Sequence, residues 1–236
     1  ITEWNEQKYN KMSTGILLFD LSAAFDMIDS DILCRKLGIY GFKESAIRLV
    51  KSFLSDRMQT VEINGRRSEI IKITIGSPQG SIFSPSIYIV YTNDIHLWID
   101  ETSDITKSGT TTLKFLTAYA DDTSISRTGR NPEDIIEKLE EDAKMVLKYM
   151  ASNGLVANKE KTAFIFIPGG RNNDIPKKVN VGGVDILEGN SDKLLGMKLN
   201  SELDFKKHVK DIVGQSNYRF YLLRKVRPHV SLNQIR

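Results

Sequence analysis

The stretch TAYADDTSI at residues 117–125 sets two acids side by side inside an apolar, β-prone run. Adjacent like charges repel by roughly 4 kcal/mol at about 4 Å for an effective dielectric near 20. Apolar neighbours add to that cost, because a buried carboxylate needs a partner. Side chains alternate along a strand, so Asp121 and Asp122 can face one point only at a turn. Two readings meet the constraint: a solvated turn between strands, or a site that holds cations.

A further acid is delivered in a similar way. In STGILLFDLSAAFD (13–26), a buried strand over Gly15 to Phe19 leaves Asp20 at its end. If that strand neighbours the one with the acid pair, three carboxylates converge at one sheet edge. Two divalent ions about 3.5–4 Å apart make such a cluster a phosphoryl-transfer site. Mg²⁺ suits it, being a hard ion that takes oxygen ligands and few protein carboxylates. The histidines, His96, His208 and His229, are scattered and lack ligand spacing. On this reading Asp121 binds both ions with Asp20, and Asp122 is secondary.

The rest of the chain reads as an α+β sandwich. Asp29 or Ser30 can cap a helix running to about Leu37, and a second helix spans Lys43 to Leu54. Residues 58–75 alternate around Asn64-Gly65, the favoured two-residue hairpin turn. An apolar helix is expected over 84–99, a polar loop over 100–112, and strands over Leu113–Tyr119 and Thr123–Ser126. Asn131-Pro132-Glu133-Asp134 opens a helix whose apolar face is Ile135, Leu139, Ala143, Val146 or Leu147, and Met150. Asn153-Gly154 stops it. Short strands follow at Ala163–Ile167, Val179–Val184 and Lys193–Lys198. Helices on one sheet face would leave the other open for a large ligand.

At 236 residues this is one large domain, or one with a small appendage. Net charge is only +3, but Lys206, Lys207, Lys210, Arg219, Arg224, Lys225, Arg227 and Arg236 crowd the last stretch against Asp211 alone. That basic, partly aromatic end suits a phosphate backbone; a solvated helix face is the plainer alternative. One cysteine, Cys34, excludes an internal disulfide, and no apolar run is long enough to span a bilayer. A start at Ile1 rather than Met suggests a piece of a longer protein.

FDLSAAFDMID, GSPQGSIFSPSIYIVYTND, YADD and GLVANKEKT, in this order, resemble the reverse transcriptase domain of non-LTR retrotransposons (LINE elements), most like the jockey or CR1 kind. The resemblance covers nearly the whole chain. It implies a palm-type polymerase sheet: palm at 1–29 and 76–200, the second part of the fingers at 30–75, the start of the thumb at 201–236. Asp20 matches the motif A aspartate, with the Leu21 carbonyl as a further ligand and Asp121 and Asp122 as the acid pair. Two Mg²⁺ ions, with Mn²⁺ as an alternative, are the implied cofactors. Phe25 matches the steric gate against a ribose 2′-hydroxyl. Pro78, Gln79 and Gly80, after Gly76, match motif B, the floor for template and nucleotide. Tyr119 precedes the acid pair and would lie beside the primer end. Lys161 matches the motif D lysine that meets the leaving pyrophosphate, with Lys159 as the neighbouring candidate.

The implied reaction adds deoxynucleotides to a primer 3′-hydroxyl. The implied partners are an RNA template, a DNA primer, dNTPs and the rest of the element's polyprotein (endonuclease, first fingers and thumb), with no membrane. The family implies nucleus and cytoplasm. Three positions depart from the family's habit: Ala23 where lysine is frequent, Ser30 where histidine is, and Ser77 where a larger apolar residue is. Only Ile1 to Thr14 precede motif A, so the alternative is a catalytically incomplete remnant that retains only nucleic-acid binding.

Overall fold

The computed structural model describes residues 1–21, 23–99, 103–105, 111–119, 122–158, 161–170, 176, 178–189, 191–194 and 196–227. Helix α1 (Thr2–Tyr9) leads into strand β1 (Ser13–Asp20). A 3-10 turn (Ala24–Met27) precedes α2 (Ser30–Ile39) and α3 (Glu44–Leu54). Strands β2 (Arg57–Gln59), β3 (Glu62–Ile63), β4 (Arg66–Arg67) and β5 (Ile71–Ile73) come next, then α4 (Ser84–Thr92) and α5 (Ile95–Trp98). Strands β6 (Ser103–Ile105), β7 (Thr111–Tyr119) and β8 (Asp122–Gly129) lead to α6 (Pro132–Ser152) and β9 (Ala163–Ile167). The pairs β10 (Lys178–Val181), β11 (Val184–Leu187) and β12 (Ser191–Leu194), β13 (Met197–Asn200) precede α7 (Lys206–Val226).

The sheet runs in the order β6-β7-β8-β1-β9, antiparallel throughout. Strand β1 lies inside it and is buried from Ser13 to Phe19; only Asp20 at its end reaches solvent. Alternation divides its side chains. Leu17 and Phe19 join a core with Ile135, Leu139, Ala143 and Val146 of α6. Each of these side chains larger than alanine contributes roughly 1.5–3 kcal/mol by its burial. Ile16 and Leu18 point the other way, onto Trp4, Ile165, Ile167, Leu199 and Leu203. The sheet face expected to stand open is therefore covered here, by α1 and the segment around β13. Helix α1 had no signal in the sequence because Trp4 is its one buried residue.

Local chemistry decides the element ends. The Asp29 carboxylate accepts from the backbone N–H groups of Asp31 (2.8 Å) and Ile32 (3.0 Å), so Asp29 rather than Ser30 caps α2. Asn131 caps α6 by accepting from Glu133 N at 3.1 Å. The expected hairpin turn is present, with φ of 52° at Asn64 and 75° at Gly65, the pair of positive values a type I′ turn needs. Other expectations need correction. The helix over 84–99 breaks at Asn93 and Asp94 into α4 and α5. The loop expected at 100–112 contains β6 and the start of β7. The single strands expected at Val179–Val184 and Lys193–Lys198 are each a hairpin, turning at Gly182-Gly183 and at Gly196, all with positive φ.

Two buried polar clusters brace the helices. Arg127, 1% exposed, holds the Asp142 carboxylate through two hydrogen bonds of 2.6 and 3.0 Å and donates to Thr112 Oγ1 at 3.3 Å, with Lys114 Nζ 3.6 Å from the same carboxylate. Lys36 Nζ donates to the Tyr91 carbonyl (2.6 Å) and to Asp94 (2.7 Å), and the Tyr149 hydroxyl donates to Asp94 at 2.7 Å. Burial pushes the Lys36 ammonium pKa down, opposed by its hydrogen bond to Asp94. Burial raises the Tyr91 phenol to about 12 and drives the Tyr149 phenol up as well. These groups join α2, α4, α5 and α6 into one block. Asp142→Ala removes the carboxylate that neutralises the buried Arg127 charge and is expected to lower stability by about 3–5 kcal/mol in urea unfolding, whereas Lys51→Ala, which removes an exposed 3.1 Å pair with Asp31, is expected to leave the unfolding midpoint essentially unchanged.

Candidate active site

Strands β1 and β8 are paired to their ends, with Asp20 directly opposite Asp122. Asp122 in turn lies opposite Tyr119 across β7 and β8. Asp121 lies outside the described residues, as does Lys159. The expected neighbourhood of the two strand ends is thus present. It sets two carboxylate-bearing residues directly across one antiparallel pair, where like charges repel.

The Asp20 side chain is 29% exposed. Its Oδ2 is buried and receives no hydrogen bond, although Lys161 Nζ lies 3.1 Å away as an ion-pair partner. The approach of that lysine is built by the backbone. Asn158 N–H donates to the Asp20 carbonyl at 2.8 Å, and Leu21 makes an antiparallel bridge with Ala157. The Asn158 carbonyl then accepts from Lys161 N (3.1 Å), Thr162 N (3.0 Å) and Thr162 Oγ1 (3.0 Å). This turn hooks the GLVANKEKT segment onto the end of β1. Asn158 was missed by sequence reasoning, since its contribution is a backbone N–H that any residue but proline supplies. The Asp20 carboxylate, with Lys161 as its present counter-charge, and the neighbouring Leu21 carbonyl are hard oxygen donors of the kind a divalent cation such as Mg²⁺ takes.

Phe25 and the expected residues of the 76–80 loop meet in a second group. Phe25 is half-buried, its ring 5.0 Å from that of Tyr88. Ser77 N–H donates to the Phe25 carbonyl and Gly76 N–H to the Ile28 carbonyl, both at 2.8 Å. Gly76 has φ +86°, and a Cβ there would stand 2.7 Å from the Asp26 Cα and carbonyl oxygen, so glycine is required. Gln79 Nε2 donates to both Asp26 oxygens at 3.1 and 3.0 Å. The Pro78 carbonyl accepts from Ser84 Oγ at 2.7 Å, tying the loop to the start of α4. Gly80 is exposed at φ +79°. Beside the loop a cleft of about 720 Å³ is lined by Asp26, Arg57, Gln59, Ile75, Pro78 and Gln79. Arg57 donates to the Ile75 carbonyl (3.1 Å) and the Gly76 carbonyl; nothing in the sequence pattern singled it out. Tyr119 is 67% exposed at the end of β7.

The family model for reverse transcriptase (RNA-dependent DNA polymerase) matches residues 2–208. The chain belongs to the reverse transcriptase family. It is 27% identical over 209 residues to the RNA-directed DNA polymerase from mobile element jockey of Drosophila melanogaster, covering 88% of this chain and 22% of that protein. Its counterpart from Drosophila funebris is 25% identical, covering 84% and 21%. This reverse transcriptase chain therefore spans about a fifth of the length of these curated relatives. Apo telomerase from Candida tropicalis shares the fold, with a TM-score of 0.57 at 15% identity over 86% of this chain and 34% of that one. The α+β, palm-type reading and the likeness to jockey are borne out.

Any divalent ion at Asp20 competes with the Lys161 ammonium. Lys161→Met is expected to bind Mn²⁺ about two- to fivefold more tightly by calorimetry, the scale of a solvent-screened ion pair. Unchanged affinity would mean that Lys161 is no counterion of the site.

Proposed function

We propose that this chain is the catalytic core of an RNA-directed DNA polymerase of a non-LTR retrotransposon. The observation that carries the reading is the register of β1 on β8, which sets Asp20 across from Asp122 at the strand ends, with the Lys161 ammonium 3.1 Å from the Asp20 carboxylate. Asp20, Asp121, Asp122 and the Leu21 carbonyl would hold two Mg²⁺ ions, with Mn²⁺ as an alternative. When bound, these ions lower the pKa of a primer 3′-hydroxyl and neutralise triphosphate charge.

The side chains supply the rest. Phe25 would close the space a ribose 2′-hydroxyl needs, favouring deoxynucleotides. Pro78, Gln79 and Gly80 would floor the nucleotide site beside the cleft. Tyr119, exposed next to the acids, would meet the primer end. Lys161, released from Asp20, would neutralise or protonate the pyrophosphate as it leaves. Chemically, the primer oxygen forms a bond to the α-phosphorus and the bond to the pyrophosphate oxygen breaks.

The sheet and α4–α6 make up the proposed palm at 1–29 and 76–200, and α2, α3 and the hairpin strands the second part of the fingers at 30–75. Helix α7, basic and with no buried residue, begins the thumb at 201–236. RNA template and DNA primer would be held through their backbones, with affinity that falls as salt rises. Endonuclease, first fingers and the remaining thumb would come from the rest of a polyprotein. Primer extension on poly-rA with oligo-dT and Mg²⁺ tests the reading: Asp20→Asn is expected to lower the rate at least about a hundredfold. Equal extension by wild type and variant would refute it.

A further inference from the structure

We infer that Asp26 is a positioning residue that fixes which end of the Gln79 amide faces the incoming nucleotide, an inference that rests on the proposed polymerase function. Gln79 Nε2 donates to both carboxylate oxygens of Asp26, at 3.1 and 3.0 Å. An ionised carboxylate only accepts hydrogen bonds, so it admits the amide NH₂ and excludes the amide oxygen. The Gln79 side chain is thereby held with Nε2 on Asp26 and Oε1 turned away from it. What it offers a ligand is an acceptor.

The backbone makes this arrangement stiff. Gly76 packs directly on Asp26, with no room for a Cβ. Hydrogen bonds of 2.8 Å from Gly76 N to Ile28 O and from Ser77 N to Phe25 O fix the two segments together. Arg57 grips the Ile75 and Gly76 carbonyls from the hairpin side. Asp26, Gln79 and Arg57 all line the cleft of about 720 Å³. Asp26 also follows Phe25 directly, so the aromatic gate and the oriented amide hang on one rigid joint. An acceptor at this joint suits a hydroxyl or amino donor of the nucleotide and opposes a phosphate oxygen, which is itself an acceptor.

The test is a double-mutant cycle in primer extension with the full chain, reading KM for dTTP and kcat for wild type, Asp26→Ala, Gln79→Ala and the double variant, with Tm recorded for each. Asp26→Ala is expected to raise KM about tenfold, the value of one oriented hydrogen bond, with kcat within about twofold. The double variant is expected to be no worse than Gln79→Ala alone, since Asp26 acts through that amide. Asp26→Asn, which still accepts from Nε2 but also tolerates a flipped amide, is expected to fall between, and it serves should Asp26→Ala unfold. Effects that multiply in the double variant, or an Asp26→Ala that lowers kcat and Tm at unchanged KM, would overturn the inference while leaving the polymerase reading intact. A wild-type chain that neither extends primer nor binds dTTP would overturn the polymerase reading, and this inference with it.

Discussion

The antiparallel pairing of β1 with β8 is the constraint from which the rest follows. Its register places Asp20 opposite Asp122 at the open end of two strands. Behind the acids, β1 is buried on both faces, by α6 on one side and by Trp4 and the segment around Leu199 on the other. A strand packed in that way cannot slip by one residue without turning its whole apolar set over. The charge conflict at its tip is therefore locked in by hydrophobic burial deeper in the sheet. Lys161 answers the charge of Asp20.

Two segments are tied by backbone hydrogen bonds to β1 or to the turn that follows it. On one side, Asn158 ties the Lys161 turn to the Asp20 carbonyl; on the other, Gly76 and Ser77 tie the Gln79 loop to the segment that follows Asp20. Side chains at such a site inherit the precision of the main chain, which is what a reaction governed by positioning requires. The Lys36, Asp94 and Tyr149 cluster sits farther back and holds α2, α5 and α6 in place.

Much of this was legible in the sequence because the signals were local and strong. The apolar run of β1 ending in an acid, the Asn64-Gly65 turn, the Asn131 cap and the apolar face of α6 all appear where their chemistry puts them. The missed features depend on distant contacts. Helix α1 presents Trp4 alone to the core, so it carries no periodic signal. Its docking closes a sheet face that the element order suggested was open. The pairing of Gln79 with Asp26, 53 positions apart, and the grip of Arg57 on the loop carbonyls emerge only once the chain folds back. Short β10 to β13 read as single strands because each hairpin turns on glycine after only four residues.

The central claim is that the paired strand ends form a cation site. Fe²⁺ substituted for Mg²⁺ and driven to generate hydroxyl radicals cuts the backbone close to where it binds, and so locates the ion directly. Cuts confined to the chain around residues 20, 122 and 158, suppressed by excess Mg²⁺ and lost in Asp20→Asn, are the predicted result. Cleavage elsewhere, or cleavage that Asp20→Asn leaves unchanged, would contradict it.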